Sequence, residues 1–317
     1  MSASAPRSVP TGTRTWPPVA QMGLKPGWWV WLRTSVRWWF GTPWHAQLQG
    51  AIETDPAWHL LLARQAMYLR PLIRGYLDRR HPIWTRYAIG VTDFSTASTC
   101  FTPEQKAALA SGRQSPLLEL GEGFSLCLGL NDILPEEGLW ALSLRNAQGA
   151  RVFQMSFSFC PGGRIVVGSI QGGKRCDALD PEQAIRLLTK QCHGLRPQHL
   201  LAQALADLAL VWRRQSVDFV APRHQAKSRW HRPARNIRFN YATFFHECDM
   251  RRLQEGHWRL PQQLPRKALE DIEARKRALY RRRYAMLDQM ATQLAERFSG
   301  AAHPWFGHKP PPEPALA

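Results

Sequence analysis

Between Ser115 and Ile170 the apolar positions fall into short runs of strand length: Leu117–Leu120, Phe124–Leu128, Leu139–Leu144, Val152–Phe159 and Arg164–Ile170. Turn formers separate them: Gly121, Asn131-Asp132, Asn146 to Gly149, and Pro161-Gly162-Gly163. Met155, Phe157 and Phe159 alternate with Ser156 and Ser158, the period of two that puts one set of side chains on each face of a strand. The pattern predicts an antiparallel meander.

On both sides the period changes to that of helices. Residues 55–90 read as helical through Trp58, Leu61, Leu62 and Met67, ahead of the basic run Arg79-Arg80-His81. A polar, turn-rich connection is predicted from Thr92 to about Pro103, then a short helix to Ala110. After the meander, Asp180 and Pro181 open a helix that reaches Cys192. Gly194-Leu195-Arg196-Pro197 leads into a second, with a wide apolar face of Leu200, Leu201, Ala204, Leu205, Leu208 and Val211. Val217 to Val220 predicts one more strand. A long helix is expected from about Arg266 to Phe298, striped by Leu269, Ile272, Leu279, Met286, Met290 and Leu294. Glu270, Asp271 and Glu273 near its start suit the positive end of the helix dipole.

The fold class is therefore α+β: a central antiparallel sheet flanked by helices, with a long basic C-terminal helix. The organisation read along the chain is a disordered segment at 1–27, a tryptophan-rich amphipathic segment at 28–54, and a domain at 55–298. Within that domain, 55–114 is helical, 115–222 is the α/β core and 223–298 is a basic C-terminal section. A Pro-rich disordered tail follows at 299–317.

The segment Trp28 to Trp44 holds six tryptophans, with Arg33 and Arg37 between them. As a helix it sets Trp28, Trp31, Leu32, Ser35 and Trp39 along one side and the two arginines on another. Two readings stand. The indoles pack on the domain core, or they form the apolar face of an interfacial helix that makes peripheral contact with a membrane.

Charge narrows the partners. The 317 residues carry a net +18, with a pI near 10.4, which favours anionic ligands, lipid headgroups or nucleic acid and says nothing about fold. Most of the excess lies between Arg213 and Arg283, where 19 Lys and Arg face 7 Asp and Glu. The six cysteines form no C-x-x-C pair and match no common zinc spacing, so they read as reduced structural thiols, with no metal expected. No secretory signal pattern opens the chain and no apolar run is long enough to span a bilayer. The expected location is the cytoplasm, touching a membrane from that side.

Several segments in combination are similar to the VirK/YbjX family. They are Ser156-Phe157-Ser158-Phe159, Gly168-Ser169-Ile170-Gln171-Gly172, Gly194-Leu195-Arg196-Pro197 with the leucine-rich helix behind it, and Lys276 to Tyr284 followed by Leu287-Asp288. The similarity covers roughly residues 55–295 and leaves the tryptophan-rich segment outside it. The resemblance implies roles in bacterial virulence, resistance to antimicrobial peptides and upkeep of the outer surface. It supplies no mechanism.

Three constellations are candidates for chemistry. Gln171, Gly172, Gly173 and Lys174 at a strand end, with Gly194 and Arg196 opening the next helix, have the makings of a phosphate cradle. Meander, glycine loop, helix and strand is also the order of GNAT-type acyltransferases, which makes acyl-CoA the candidate cofactor; the analogy is one of architecture alone. A hairpin turn at Gly172-Gly173 and a helix-breaking loop at Gly194 explain the same residues without a ligand. His224, just past the last strand, is the candidate general base, or else a polar loop residue, with His231 and His246 further on. Arg275, Lys276, Arg277, Arg281, Arg282 and Arg283 are the candidate anion-binding set. Phosphate or headgroup binding, nucleic-acid binding beside Tyr280 and Tyr284, and a solvated face with internally paired arginines all fit them. No RNA-binding signature or helix-turn-helix supports the second of these.

Two functions follow: an acyltransferase-like protein that maintains the envelope, or a non-catalytic basic adaptor for RNA or an anionic membrane surface. The first requires an open pocket between splayed strands above the Gly194 helix start. The second requires a filled core and an exposed basic face.

Overall fold

Eight strands form one sheet in the order β1-β2-β3-β4-β5-β6-β8-β7, every pair antiparallel except β5 and β6. The structure, a computed structural model, describes Met22 and residues 28–173, 180–226 and 239–299. The expectations for the rest of 1–27, for Lys174, Arg175, Cys176 and His231, and for the tail beyond 299 lie outside the described residues.

The meander comprises β1 (Ser115–Gly121), β2 (Phe124–Leu130), β3 (Trp140–Arg145), β4 (Arg151–Cys160) and β5 (Arg164–Gly172). Its register follows from the alternation. Trp140 lies opposite Phe157, Leu142 opposite Met155 and Leu144 opposite Phe153, so one face is wholly apolar. The other face is small and polar, yet it too is buried. Ser156 and Ser169 Oγ lie 3.3 Å apart, and Gln154 Nε2 donates to Asn131 Oδ1 at 3.1 Å. Two helices, α7 (Pro181–Gln191) and α8 (Pro197–Val211), carry the chain to β6 (Ser216–Phe219), which joins β5 in parallel. The short hairpin β7 (Arg251–Arg252) and β8 (Trp258–Leu260) closes that side, reached through α9 (Tyr241–Glu247).

The helical layer packs on the apolar face. Trp58 and Trp140 have ring centroids 5.3 Å apart, Phe101 sits 5.0 Å from Trp140 and 5.7 Å from Trp212, and Trp212 meets Phe298 at 5.4 Å. This chain of rings joins the N-terminal helices, the sheet, α8 and the last helix in one core. Met22 is buried in the same core.

Helix boundaries differ from expectation in four places. The tryptophan-rich segment is two helices, α1 (Trp28–Phe40) and α2 (Thr42–Glu53), separated at Gly41, where a Cβ would stand 2.3 Å from the Tyr87 hydroxyl. The stretch 55–90 is broken into α3 (Pro56–Arg64), a 3-10 turn, α4 (Arg70–Arg74) and an extended link. The polar connection expected from Thr92 to Pro103 is instead the body of α5 (Ile83–Cys100), with α6 (Pro103–Ala110) after it. Asp93, Phe94, Ala97 and Cys100 form its buried side, and the Thr and Ser residues that suggested a loop mostly lie on the outer side. The last helix, α10 (Ala274–Ser299), starts eight residues later than expected, because Leu269–Asp271 make a 3-10 turn before it.

Candidate functional site

Helix α1 is mounted with its apolar side outward. Val30, Thr34 and Trp38, spaced by four, turn towards the protein; Thr34 is buried and Trp38 packs against the core. The opposite stripe is left in the open. Trp28, Trp29, Trp31 and Trp39 are 63%, 66%, 58% and 70% exposed, and Leu32, Val36 and Phe40 are exposed between them. Core packing therefore accounts for Trp38 and Trp44 only. Trp84, at the start of α5, is also exposed.

Four guanidinium groups flank this surface. Arg37 Nη1 donates to the Ile73 carbonyl at 3.3 Å. Burial, then the charges of Arg33 and Arg74, hold Arg37 below the usual arginine range, and burial with Arg37 does the same to Arg86. Arg74 is only loosely tied to Glu136, at 3.7 Å, because Arg70 already forks that carboxylate at 2.8 and 3.0 Å. An indole surface bordered by mutually repelling cations results.

The described residues of the phosphate cradle are engaged internally. The Gly173 N–H donates to the Val152 carbonyl at 2.8 Å, extending the β4–β5 ladder. Gln171 Nε2 donates to Glu137 Oε2 at 2.8 Å, and Gly172 lies opposite Phe153. Gly194, at φ +78°, ends α7 by donating to the Thr189 carbonyl at 2.7 Å. Arg196 precedes α8, and its side chain points to Glu247 at 3.4 Å. His199 also reaches Glu247, at 3.1 Å. Where β5 runs on past the end of β6, Tyr241 fills the space: its hydroxyl accepts from the Ile170 N–H and from Gln225 Nε2, both at 2.9 Å. Burial pushes the Tyr241 phenol well up, so it stays neutral.

His224 is buried in a 3-10 turn, Pro222–His224, and its carbonyl accepts from Arg79 N at 2.9 Å. Burial, and then Arg80, lower its pKa. It stands beside a pair that sequence reasoning did not single out, Asp78 and His257. His257 Nε2 and Asp78 Oδ2 are 2.9 Å apart, and Arg80 forks the same carboxylate, with Nη2 at 2.6 Å. Burial opposes ionisation of Asp78, but the hydrogen bonds from His257 and Arg80 overcome it and hold the carboxyl far below its usual range. Asp78 and His257 lie 179 positions apart, so no local pattern marks them. The arrangement clamps the β7–β8 hairpin to the loop after α4. No group of three or more metal-ligating side chains with metal-site geometry occurs among the described residues.

The basic set on α10 divides. Arg275 and Lys276 pair with Glu273 at 2.7 and 3.1 Å. Arg277 donates to the Ile272 and Glu270 carbonyls. Arg283 gives two hydrogen bonds to the His193 carbonyl, at 3.0 and 2.8 Å, and lies 4.2 Å from the Tyr280 ring. Arg281 and Arg282 project into solvent.

Fold and surface together define a basic α+β protein built on one mixed sheet, with an aromatic helix turned outward. The chain belongs to the VirK/YbjX family, described as a protein of unknown function (DUF535), whose family model matches residues 29–296. That span begins inside α1 and so takes in the tryptophan-rich helix. The chain is 30% identical to YbjX of Escherichia coli over 266 residues, 77% of this chain and 76% of the relative. It is 29% identical to an uncharacterised protein of Haemophilus influenzae, covering 79% of this chain and 84% of that one. It is also 29% identical to the membrane protein LapB of Mannheimia haemolytica over 190 residues, 57% of this chain and 78% of the relative. No solved structure matches it. No helix among the described residues is long and apolar enough to cross a membrane.

Proposed function

We propose that this protein serves envelope maintenance, and through it virulence or antimicrobial-peptide resistance, as a non-catalytic adaptor that docks on an anionic membrane surface through α1. The observation that carries this reading is the outward indole stripe of α1 with Arg33, Arg37, Arg74 and Arg86 beside it. A stripe of this kind lies in the headgroup boundary, its rings in the apolar layer and its cations against lipid phosphates. Each cation near an anionic surface contributes about 1 kcal/mol, and buried indoles add to that. The name of the Mannheimia haemolytica relative is in keeping with a membrane role. The acyl-transfer reading has less support, since Tyr241 and Gln225 fill the space beside β5 and the Gly173 N–H is already paired.

The test is co-sedimentation of the full chain with vesicles of phosphatidylglycerol or phosphatidylcholine, with short RNA and acyl-CoA as parallel ligands, at two salt concentrations. Binding to the anionic vesicles that a Trp28→Ser, Trp29→Ser, Trp39→Ser triple variant loses is the expected result. Failure to bind either vesicle would overturn the reading. Saturable acyl-CoA binding that survives higher salt and is lost in Arg196→Ala would replace it with the enzymatic one.

A further inference from the structure

A cavity of about 340 Å³ opens between the C-terminal half of α8 and the strands β6, β7 and β8. This is within the range of small-molecule sites. It lies at the Ser216 end of the sheet, where β6 begins, and none of the cradle residues lines it. One wall is apolar, made by Ala209 and Leu210 of α8 and Val217 of β6. Three arginines, Arg214, Arg251 and Arg259, also line the cavity, against a single acidic residue, Asp249.

The arginines are placed against their own repulsion. Arg251 of β7 and Arg259 of β8 are direct cross-strand partners, and like charges in that relation destabilise a sheet. Arg259 is neutralised by Asp218, a fully buried carboxylate it forks at 2.7 and 3.0 Å. Arg251 pairs with no carboxylate among the described residues, and Arg214 spends only its Nε, on the Trp212 carbonyl at 2.7 Å. Two of the arginines that line the cavity are thus left without a carboxylate partner among the described residues, beside the aliphatic part of the lining, where Leu210 is exposed.

We infer that this cavity is a binding site for an anionic amphiphile, an oxyanion head of the phosphate or carboxylate type on a short apolar chain. The head is gripped by Arg214 and Arg251, with Arg259 held in place behind them by Asp218, and the chain lies along Ala209, Leu210 and Val217. A planar guanidinium fork matches either head. The site is separate from α1 and does not rest on the membrane reading.

Calorimetric titration of the full chain with octyl phosphate, octanoate, inorganic phosphate and octanol tests it. Octyl phosphate or octanoate is expected to bind saturably at one site. Arg251→Ala and Leu210→Gln, both at exposed positions that folding does not need, should each weaken that binding about tenfold, one lost charge-assisted contact or a lost apolar wall being worth roughly 1.4 kcal/mol. Inorganic phosphate binding as tightly as octyl phosphate, with Leu210→Gln silent, would overturn the amphiphile. Octanol binding equally, with Arg251→Ala silent, would overturn the anion. Absence of binding by all four probes would overturn the site.

Discussion

The buried carboxylate of Asp93 accepts the indole N–H of Trp140 at 2.9 Å, tying the middle of α5 to the third strand of the meander. The same oxygen accepts the Phe159 N–H at 2.6 Å, and the other oxygen is bonded to the Tyr76 hydroxyl, which in turn accepts from Ser158 Oγ at 3.1 Å. One side chain thus satisfies groups from two strands and the loop after α4. Asp93→Ala leaves the indole, the amide and the phenol without their acceptor, and should destabilise the protein by roughly 3 kcal/mol or more in urea unfolding.

The same residue gives stability a pH signature. Burial raises the Asp93 pKa to about 7 against the opposition of its hydrogen bonds. An acid raised on folding binds its proton more tightly in the native state. Its contribution is full below about pH 4, the unfolded value, and is lost as pH rises towards 7. Unfolding free energy should fall across that window by up to about 1.4 kcal/mol per pH unit relative to Asp93→Asn, in which the slope should vanish.

Asp78 behaves in the opposite sense. Its carboxyl is depressed on folding by His257 and Arg80 despite burial, so its contribution is present above about pH 4 and is lost as pH falls further. His257→Ala leaves Asp78 buried with Arg80 as its remaining side-chain partner, and should cost about 3 kcal/mol by chemical denaturation, loosening the β7–β8 hairpin first in hydrogen exchange.

The two kinds of tryptophan should separate cleanly. Trp39→Ser changes an exposed residue and should leave stability within about 0.5 kcal/mol while weakening vesicle binding. Trp58→Ala empties the centre of the ring cluster and should cost about 3–5 kcal/mol in thermal or urea unfolding.

On α10, Arg283→Ala removes two hydrogen bonds to the end of α7 and should destabilise by roughly 1–3 kcal/mol, whereas Arg281→Ala and Arg282→Ala should be neutral in the same assay. Gly168→Ala is a further check on packing. A Cβ there would stand 2.1 Å from the Glu137 carbonyl oxygen, so a loss of about 1–3 kcal/mol is expected.

The meander was legible because its alternation is local: Met155, Phe157 and Phe159 face one way whatever the rest of the chain does. Helix α5 was not, because its buried stripe includes a carboxylate. Asp93 reads as polar in sequence, and only the donors that Tyr76, Trp140 and Phe159 bring to it make it a core residue. The spacing of Phe94, Ala97 and Cys100 was the signal available there. For the site, the tryptophan-rich helix and its arginines were visible in the sequence, but which side faced outward was not, since that depends on Thr34 and Trp38 finding the core. The Asp78–His257 pair and the opposed Arg251 and Arg259 arise from strand pairing and long-range closure, which no single window contains.

The two borders of the sheet carry a consequence for behaviour in a crowded cell. One border, β1, opens with Ser115-Pro116 and is flanked by α6 and α10; the other, β7, is two residues long and both are arginines. A neighbouring copy seeking backbone partners meets a proline and helices on one side and a short, repelling stub on the other. Growth of the sheet from molecule to molecule is blocked at both ends, so any association driven by the exposed aromatic surface of α1 cannot spread through strand pairing.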